Sequence, residues 1–277
     1  MIDPSTTTIA KQQSYTSWSA LSFIAGLYAA LVYWWLFLYF SGSVGELQNY
    51  LWVILLTIIP IVGGINGLFI AHTWGGWKTV FGKGIMLLSL GLIGWSLGDV
   101  IWSFYNIVLK IEVPYPSLAD VGFFSIVPFW FIGMIYIAKA GGASFRLRDK
   151  GGKFLIILIP MAVFIISYYL FLSGKAVSGD STLATFFNIA YPLGDMLTAS
   201  AALSAWILMK KFLGGKMRLP IIILVFGFLF QYLADLSFSY ASTNGTYYNA
   251  DWIDLFYLTA QFVVSCGVAL LSPKRVV

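Results

Sequence analysis

The stretch Gly84-Ile-Met-Leu-Leu-Ser-Leu-Gly-Leu-Ile-Gly-Trp-Ser-Leu-Gly-Asp-Val-Ile-Trp-Ser-Phe-Tyr-Asn-Ile-Val108 carries a single charge, Asp99. A helix needs about 20 apolar residues to cross roughly 30 Å of hydrocarbon, and this run supplies them. Similar runs recur along the chain, at 18–40, 50–73, 118–138, 154–173, 183–210, 219–240 and 252–271. Together with 84–108 they predict an all-α integral membrane protein with eight transmembrane helices.

Composition agrees. Of 277 residues, 60% are hydrophobic and 10% charged, where a soluble domain carries about 25% charged residues. Too few charges remain to cover a water-soluble surface. An ordinary soluble enzyme, a disordered chain and a disulfide-rich scaffold are therefore excluded; Cys266 is the one cysteine. The first run is too long for a signal peptide and has no basic segment before it, so it reads as a retained span. The expected organisation is a polar tail at 1–17, a membrane domain at 18–271 and a short tail at 272–277.

The loops predict the orientation. With the N-terminus in the cytoplasm, Lys11, Lys78, Lys83, Lys139, Arg146, Arg148, Lys150, Lys153, Lys210, Lys211, Lys216, Arg218, Lys274 and Arg275 all fall inside. Only Lys110 and Lys175 fall outside. This is the positive-inside bias of a plasma (inner) membrane protein with both termini cytoplasmic. The net charge of +5 is thus a topology signal, and no nucleic-acid partner is expected.

The acids show the opposite bias. Asp3 and Asp149 are cytoplasmic; Glu46, Asp99, Glu112, Asp120, Asp180, Asp195, Asp235, Asp251 and Asp254 belong to the outer half. An ionisable group at membrane depth is costly and marks a functional site by default. Ser96, Asp99, Ser103 and Asn106 recur at helical spacing and share a face. Asp195 has Asn188 and Thr198 near it on its helix, Asp235 has Gln231 and Ser239, and Asp254 has Gln261 and Ser265. These stripes are expected to face the bundle interior or a wet cavity.

The expected ligand site is Asp99, Ser103, Asn106, Asp195, Gln231 and Asp235, with Asp120 and Asp254 at the pocket mouth. A plainer reading stands beside each acid. Asp120, after Ser117, reads as a helix cap, as do Asp251 and Asp254. Asp195, after Pro192, reads as a first-turn acid. For Asp99 and Asp235 the plain reading is interhelical hydrogen bonding.

Asp99-Val-Ile-Trp-Ser-Phe parallels Asp235-Leu-Ser-Phe-Ser-Tyr, and Asp120-Val-Gly-Phe parallels Asp254-Leu-Phe-Tyr. The pattern suggests a parallel 4+4 duplication with halves 18–138 and 154–271. Gly63/Gly67 and Gly94/Gly98 have the spacing of close helix contacts. Pro60, Pro128, Pro160 and Pro192 fall inside spans as candidate kinks. Trp and Tyr at span ends, including Trp102, read mainly as an interfacial belt or as packing, with an aromatic wall for a pigment or lipid as the lesser reading.

Gly98-Asp-Val-Ile-Trp-Ser-Phe-Tyr, Val113-Pro-Tyr-Pro-Ser-Leu-Ala-Asp-Val-Gly-Phe and Ala190-Tyr-Pro-Leu-Gly-Asp195, with Leu233-Ala-Asp235 and Asp254-Leu-Phe-Tyr, resemble the multi-pass N-terminal membrane region of bacterial diguanylate cyclase (GGDEF) and EAL signalling proteins. The resemblance covers most of the chain from about residue 84 and implies a membrane sensory module. No output domain is expected after the eighth span, so nucleotide chemistry is not carried over from the resemblance.

An enzyme is not expected. His72, the one histidine, lies at the cytoplasmic end of the second span, which leaves no ligand set for an intramembrane zinc centre and no Ser/His pair on the outer face. No cofactor is expected. The partners expected are the lipid bilayer, a small ligand or cation on the outer side, and a membrane protein partner. The leading expectation is a sensory or ligand-binding module with an outward-facing acidic pocket. A small-solute or cation transporter comes second. A structural subunit binding pigment, lipid or partner helices comes third.

Overall fold

The computed structural model describes residues 4–169, 181–209 and 215–273, and their side chains except those of 4–18, 145–146 and 215–216. Asp3, Lys175, Asp180, Lys210, Lys211, Lys274, Arg275 and the 170–173 end of the fifth span lie outside the described residues, as do the side chains of Lys11, Arg146 and Lys216.

The described elements are all helical: α1 (Pro4–Ser41), α2 (Leu47–Leu56), α3 (Ile58–Thr73), α4 (Val80–Ser103), α5 (Leu118–Phe124), α6 (Ile126–Ala140), α7 (Ala143–Arg146), α8 (Lys150–Ser167), α9 (Thr182–Met209), α10 (Gly215–Thr243) and α11 (Trp252–Leu270). A π-helical turn, Phe104–Leu109, extends α4. Eight helical segments are long and apolar enough to cross a membrane, among them Leu47–Thr73 (α2 with α3) and Leu118–Ala140 (α5 with α6). Each coincides with one of the eight apolar runs. The first helix starts earlier than the sequence suggests, because α1 continues back through the polar segment to Pro4.

Two spans are broken, and the breaks have a local cause. Pro60 cannot donate to Leu56, nor Pro128 to Phe124, so the ladder fails one turn before each proline. At the first break the Thr57 hydroxyl donates to Ile54 O at 2.6 Å, and at the second Ser125 donates to Gly122 O at 2.6 Å. Pro160 and Pro192, by contrast, lie inside unbroken α8 and α9.

Several helix starts are capped by side chains, which satisfy donors no helix can satisfy itself. Thr79 accepts from Gly82 N at 3.1 Å and Asp149 from Gly152 N at 2.7 Å. Ser117 and Asp120 form a capping box at α5.

The core sits around α4, which packs on α3, α5, α6 and α11. Lipid tails are as apolar as leucine, so close packing holds such helices together. Glycine makes the approach possible. A Cβ on Gly122 would come within 2.3 Å of Gly98 N, and one on Gly63 within 2.1 Å of Ser265 Oγ. Both glycine pairs of the sequence therefore lie at helix contacts. At the rim, α8 packs chiefly on α9, and its Ser167 hydroxyl bonds to Tyr232.

Consecutive spans alternate in direction, so the bundle has two unlike ends. One carries Lys78, Lys83, Lys139, Arg148, Lys150 and Lys153, with Asp149 among them; the other carries the 42–46, 110–117 and 244–251 loops and the remaining described acids.

Candidate functional site: an acid and aromatic cluster at one end

The acids cluster at the loop end of α4, α5, α9, α10 and α11, and most are deeply buried: Asp99 is 5% exposed, Asp120 7%, Asp195 5% and Asp254 5%. Asp235 is half-buried. The nearby halves of these helices contain no lysine, arginine or histidine, and Lys110 stands exposed in its loop. The site residues expected from sequence divide into three linked groups.

The first group centres on α4 and the start of α11. Asp99 projects from α4 between Trp95, one turn before it, and Trp102, one turn after it. Asp254 is close enough to act on it electrostatically, and Tyr247 feels both. Asp254 is well satisfied: Ala250 N donates to it at 2.6 Å and the Tyr247 hydroxyl at 3.1 Å. Asp251 caps α11, accepting from Ile253 N at 2.7 Å. Burial lifts the Asp251 carboxyl to about 6, against the pull of the Ile253 and Asp254 amides. Burial, reinforced by Asp254, Asp251 and Asp99, holds the Tyr247 phenol well above its ordinary value, so it stays a donor.

Asp99 is different. Its Oδ2 is buried without a hydrogen-bond partner, and so is the Oγ of Ser103, one turn further along α4. Buried polar atoms of this kind are rare and call for an explanation. Asn106 does not join them. The π turn shifts the register after Ser103, and the Asn106 amide donates to Trp102 O at 3.0 Å.

The second group joins α9, α10 and α11. Asp195 and Asp235 hydrogen-bond each other, and a carboxyl–carboxyl bond needs one proton as donor. Asp235 also accepts from the Tyr257 hydroxyl at 2.8 Å and from Gln231 Nε2 at 3.1 Å. Gln261 Nε2 extends the chain to Gln231 Oε1 at 2.9 Å. Asp195 lies midway along α9, which runs through Pro192 without a break, so the first-turn reading is corrected. Ser239 is exposed and takes no part.

The third group is the start of α5. Asp120 accepts from Ser117 N at 2.6 Å as a cap, and also from the Tyr191 hydroxyl of α9 at 2.9 Å. Tyr115 donates to Asn188 at 2.8 Å, which diverts Asn188 from Asp195. Burial and the Asp120 carboxylate push the Tyr115 phenol up to about 12.

Aromatic rings join these groups. Trp95–Phe123 (5.6 Å between centroids), Phe123–Trp102 (6.3 Å), Trp102–Tyr247 (6.1 Å), Tyr247–Phe238 (4.8 Å), Phe238–Tyr257 (6.4 Å) and Tyr257–Trp95 (5.7 Å) close a circuit of rings. Trp102 belongs to this circuit and donates to Asn249 Oδ1 at 2.9 Å. It is half-buried and packed among these rings, in line with the packing alternative for this residue. The hydroxyls of Tyr191, Tyr247 and Tyr257, which donate to Asp120, Asp254 and Asp235, are members of the cluster the sequence did not single out. Tyr257 follows Asp254 at helical spacing, which is a usable signal, whereas Tyr247 reaches Asp254 only through the fold of its loop. Among the described residues no group of three or more His, Cys, Asp or Glu side chains could hold a metal ion. No protein-family model, curated protein or solved structure matches the chain.

Proposed function

We propose that this protein is a membrane sensory or ligand-binding module, non-enzymatic, whose acid and aromatic cluster faces outward and receives a small polar ligand. The observation that carries this reading is the pair of unsatisfied atoms, Asp99 Oδ2 and Ser103 Oγ, buried one turn apart on α4. A lone carboxylate oxygen in apolar surroundings costs several kcal/mol unless something donates to it. A ligand entering from the loop end would supply that donor. A 4+4 duplication would make Asp99 the sequence counterpart of Asp235, and Asp120 that of Asp254, so that each half contributes acids to the one cluster. The module would act through a membrane protein partner.

Thermal unfolding of the purified protein in detergent, screened against a panel of small polar solutes and cations, tests the reading. At least one solute is expected to raise the melting temperature of the wild type and to leave the Asp99→Asn, Asp235→Asn double variant unmoved. A panel in which nothing stabilises the wild type, or in which both proteins respond alike, overturns it.

A specific observation also favours transport as the second reading. Gln261 and Ser265 are fully buried one turn apart on α11, and Gln261 Oε1 and Ser265 Oγ lack partners. These atoms continue the polar chain from Asp235 away from the loop end. Solute-dependent flux in reconstituted vesicles would shift the balance to a transporter.

A further inference from the structure

Three features meet at Asp99. The first is the unpartnered pair, an acceptor oxygen and a hydroxyl, with Asp99 5% and Ser103 4% exposed. The second is charge. Asp99 faces Asp254, and no basic side chain occurs in the helix halves around them. The third is the closed circuit of Trp95, Phe123, Trp102, Tyr247, Phe238 and Tyr257, four of whose members flank the two carboxyls in sequence or by hydrogen bond.

Each feature narrows the ligand. Two acids without a base call for positive charge. Ring faces attract cations, the more so when water is excluded. Divalent metals favour several carboxylate oxygens gathered around one point, and no three His, Cys, Asp or Glu side chains among the described residues gather so. Asp254 already spends its oxygens on Ala250 N and Tyr247, which leaves one free carboxylate oxygen and one hydroxyl to be satisfied. Both accept N–H donors. A protonated amine supplies the charge, the N–H groups and a small apolar body for the rings.

Resting on the ligand-binding reading above, we infer that the Asp99–Ser103 face of α4 and its ring circuit form a binding site for a small primary ammonium cation.

The two circuit tryptophans allow a direct test on the full chain in nanodiscs. Tryptophan fluorescence and melting temperature are followed while methyl- to butylammonium chlorides are titrated at constant ionic strength. Sodium, tetramethylammonium and the matching alcohols serve as comparators. A saturable response to at least one primary ammonium is expected, weakened about tenfold or more in Asp99→Asn and reduced in Ser103→Ala, with Trp102→Leu weaker than Trp102→Phe. Asn keeps the shape of Asp and Ala only removes a hydroxyl, so both variants should fold, and their melting curves confirm it. No saturable response to any primary ammonium overturns the inference, as does an unaltered response in folded Asp99→Asn. A response to sodium, tetramethylammonium or an alcohol that depends on Asp99 overturns the ammonium assignment while the ligand-binding reading stands. Silence across the whole wider panel of polar solutes and cations sinks both.

Discussion

Asp235 shows how much a single hydroxyl can matter at membrane depth. One of its oxygens accepts from Tyr257 at 2.8 Å and the other from Gln231 at 3.1 Å, and Asp195 leans on the same group. Removing the phenol leaves a buried carboxyl short of a donor, at a cost of about 1–3 kcal/mol. Tyr257→Phe should therefore lower the unfolding temperature clearly, while Tyr33→Phe, at a residue 77% exposed, should not. Equal melting curves for the two variants would show that the hydroxyl carries no weight. The sequence marks Asp99, Asp195 and Asp235 because charge is scarce enough to make each one conspicuous. It does not mark the tyrosines, because a tyrosine in a membrane helix has many uses and only the fold shows which hydroxyl meets which acid.

At the scale of the element, helix contacts and helix caps give two further tests. The α4–α5 contact is backbone against backbone, with Gly122 set on Gly98 N. Gly122→Ala must push the helices apart, costing about 1–3 kcal/mol as overpacking does. Gly26 on α1 has nothing within 4 Å of its added Cβ, so Gly26→Ala should leave stability unchanged or slightly higher. Thermal unfolding of the pair distinguishes a packing effect from a general intolerance of alanine. Asp251 gives a test by pH. Burial lifts its folded carboxyl to about 6, from an unfolded value near 4. The folded state thus binds the proton more tightly, and the stability this gives is full below about pH 4 and lost as pH rises through 6. Asp251→Asn keeps a good cap and removes the titration. Its melting temperature should gain on the wild type between about pH 4 and 6, and parallel curves would refute the shift. The span limits were legible from hydropathy because eight long apolar runs leave little choice. The breaks at Thr57 and Ser125 were less so, since Pro160 and Pro192 carry the same signal and break nothing.

For the molecule as a whole, the few charges are the basis of the proposed orientation. Apart from Lys110 and Asp149, the described bases gather at one end and the described acids at the other, and under the proposed reading the positive-inside bias puts the basic end in the cytoplasm. Reporter fusions check this: fusions in the 141–149 segment and after 273 should report a cytoplasmic location, and fusions in the 42–46 and 244–251 loops an outer one. The reverse pattern would turn the acid cluster inward and remove the outward-facing site. The pairing of the groups could not be read from sequence. Helical spacing shows which residues share a face of one helix, but the pairing of Asp195 with Asp235, or of Asp99 with Asp254, depends on which helices become neighbours.

Axial freedom is the last consequence, and it follows from the glycines of α4. Gly94 sits on the Ser125 hydroxyl, where α6 begins, and Gly98 sits on the backbone of Ala119 and Phe123. A screw of α4 by one residue, about 1.5 Å along its axis and about 100° around it, would bring Leu97 or Asp99 into a slot that admits no side chain. The helix is thus pinned along its length, and Asp99 is held at one depth like the fixed jaw of a vice. Travel toward it has to come from the other jaw, the 244–251 loop with Tyr247 and the head of α11.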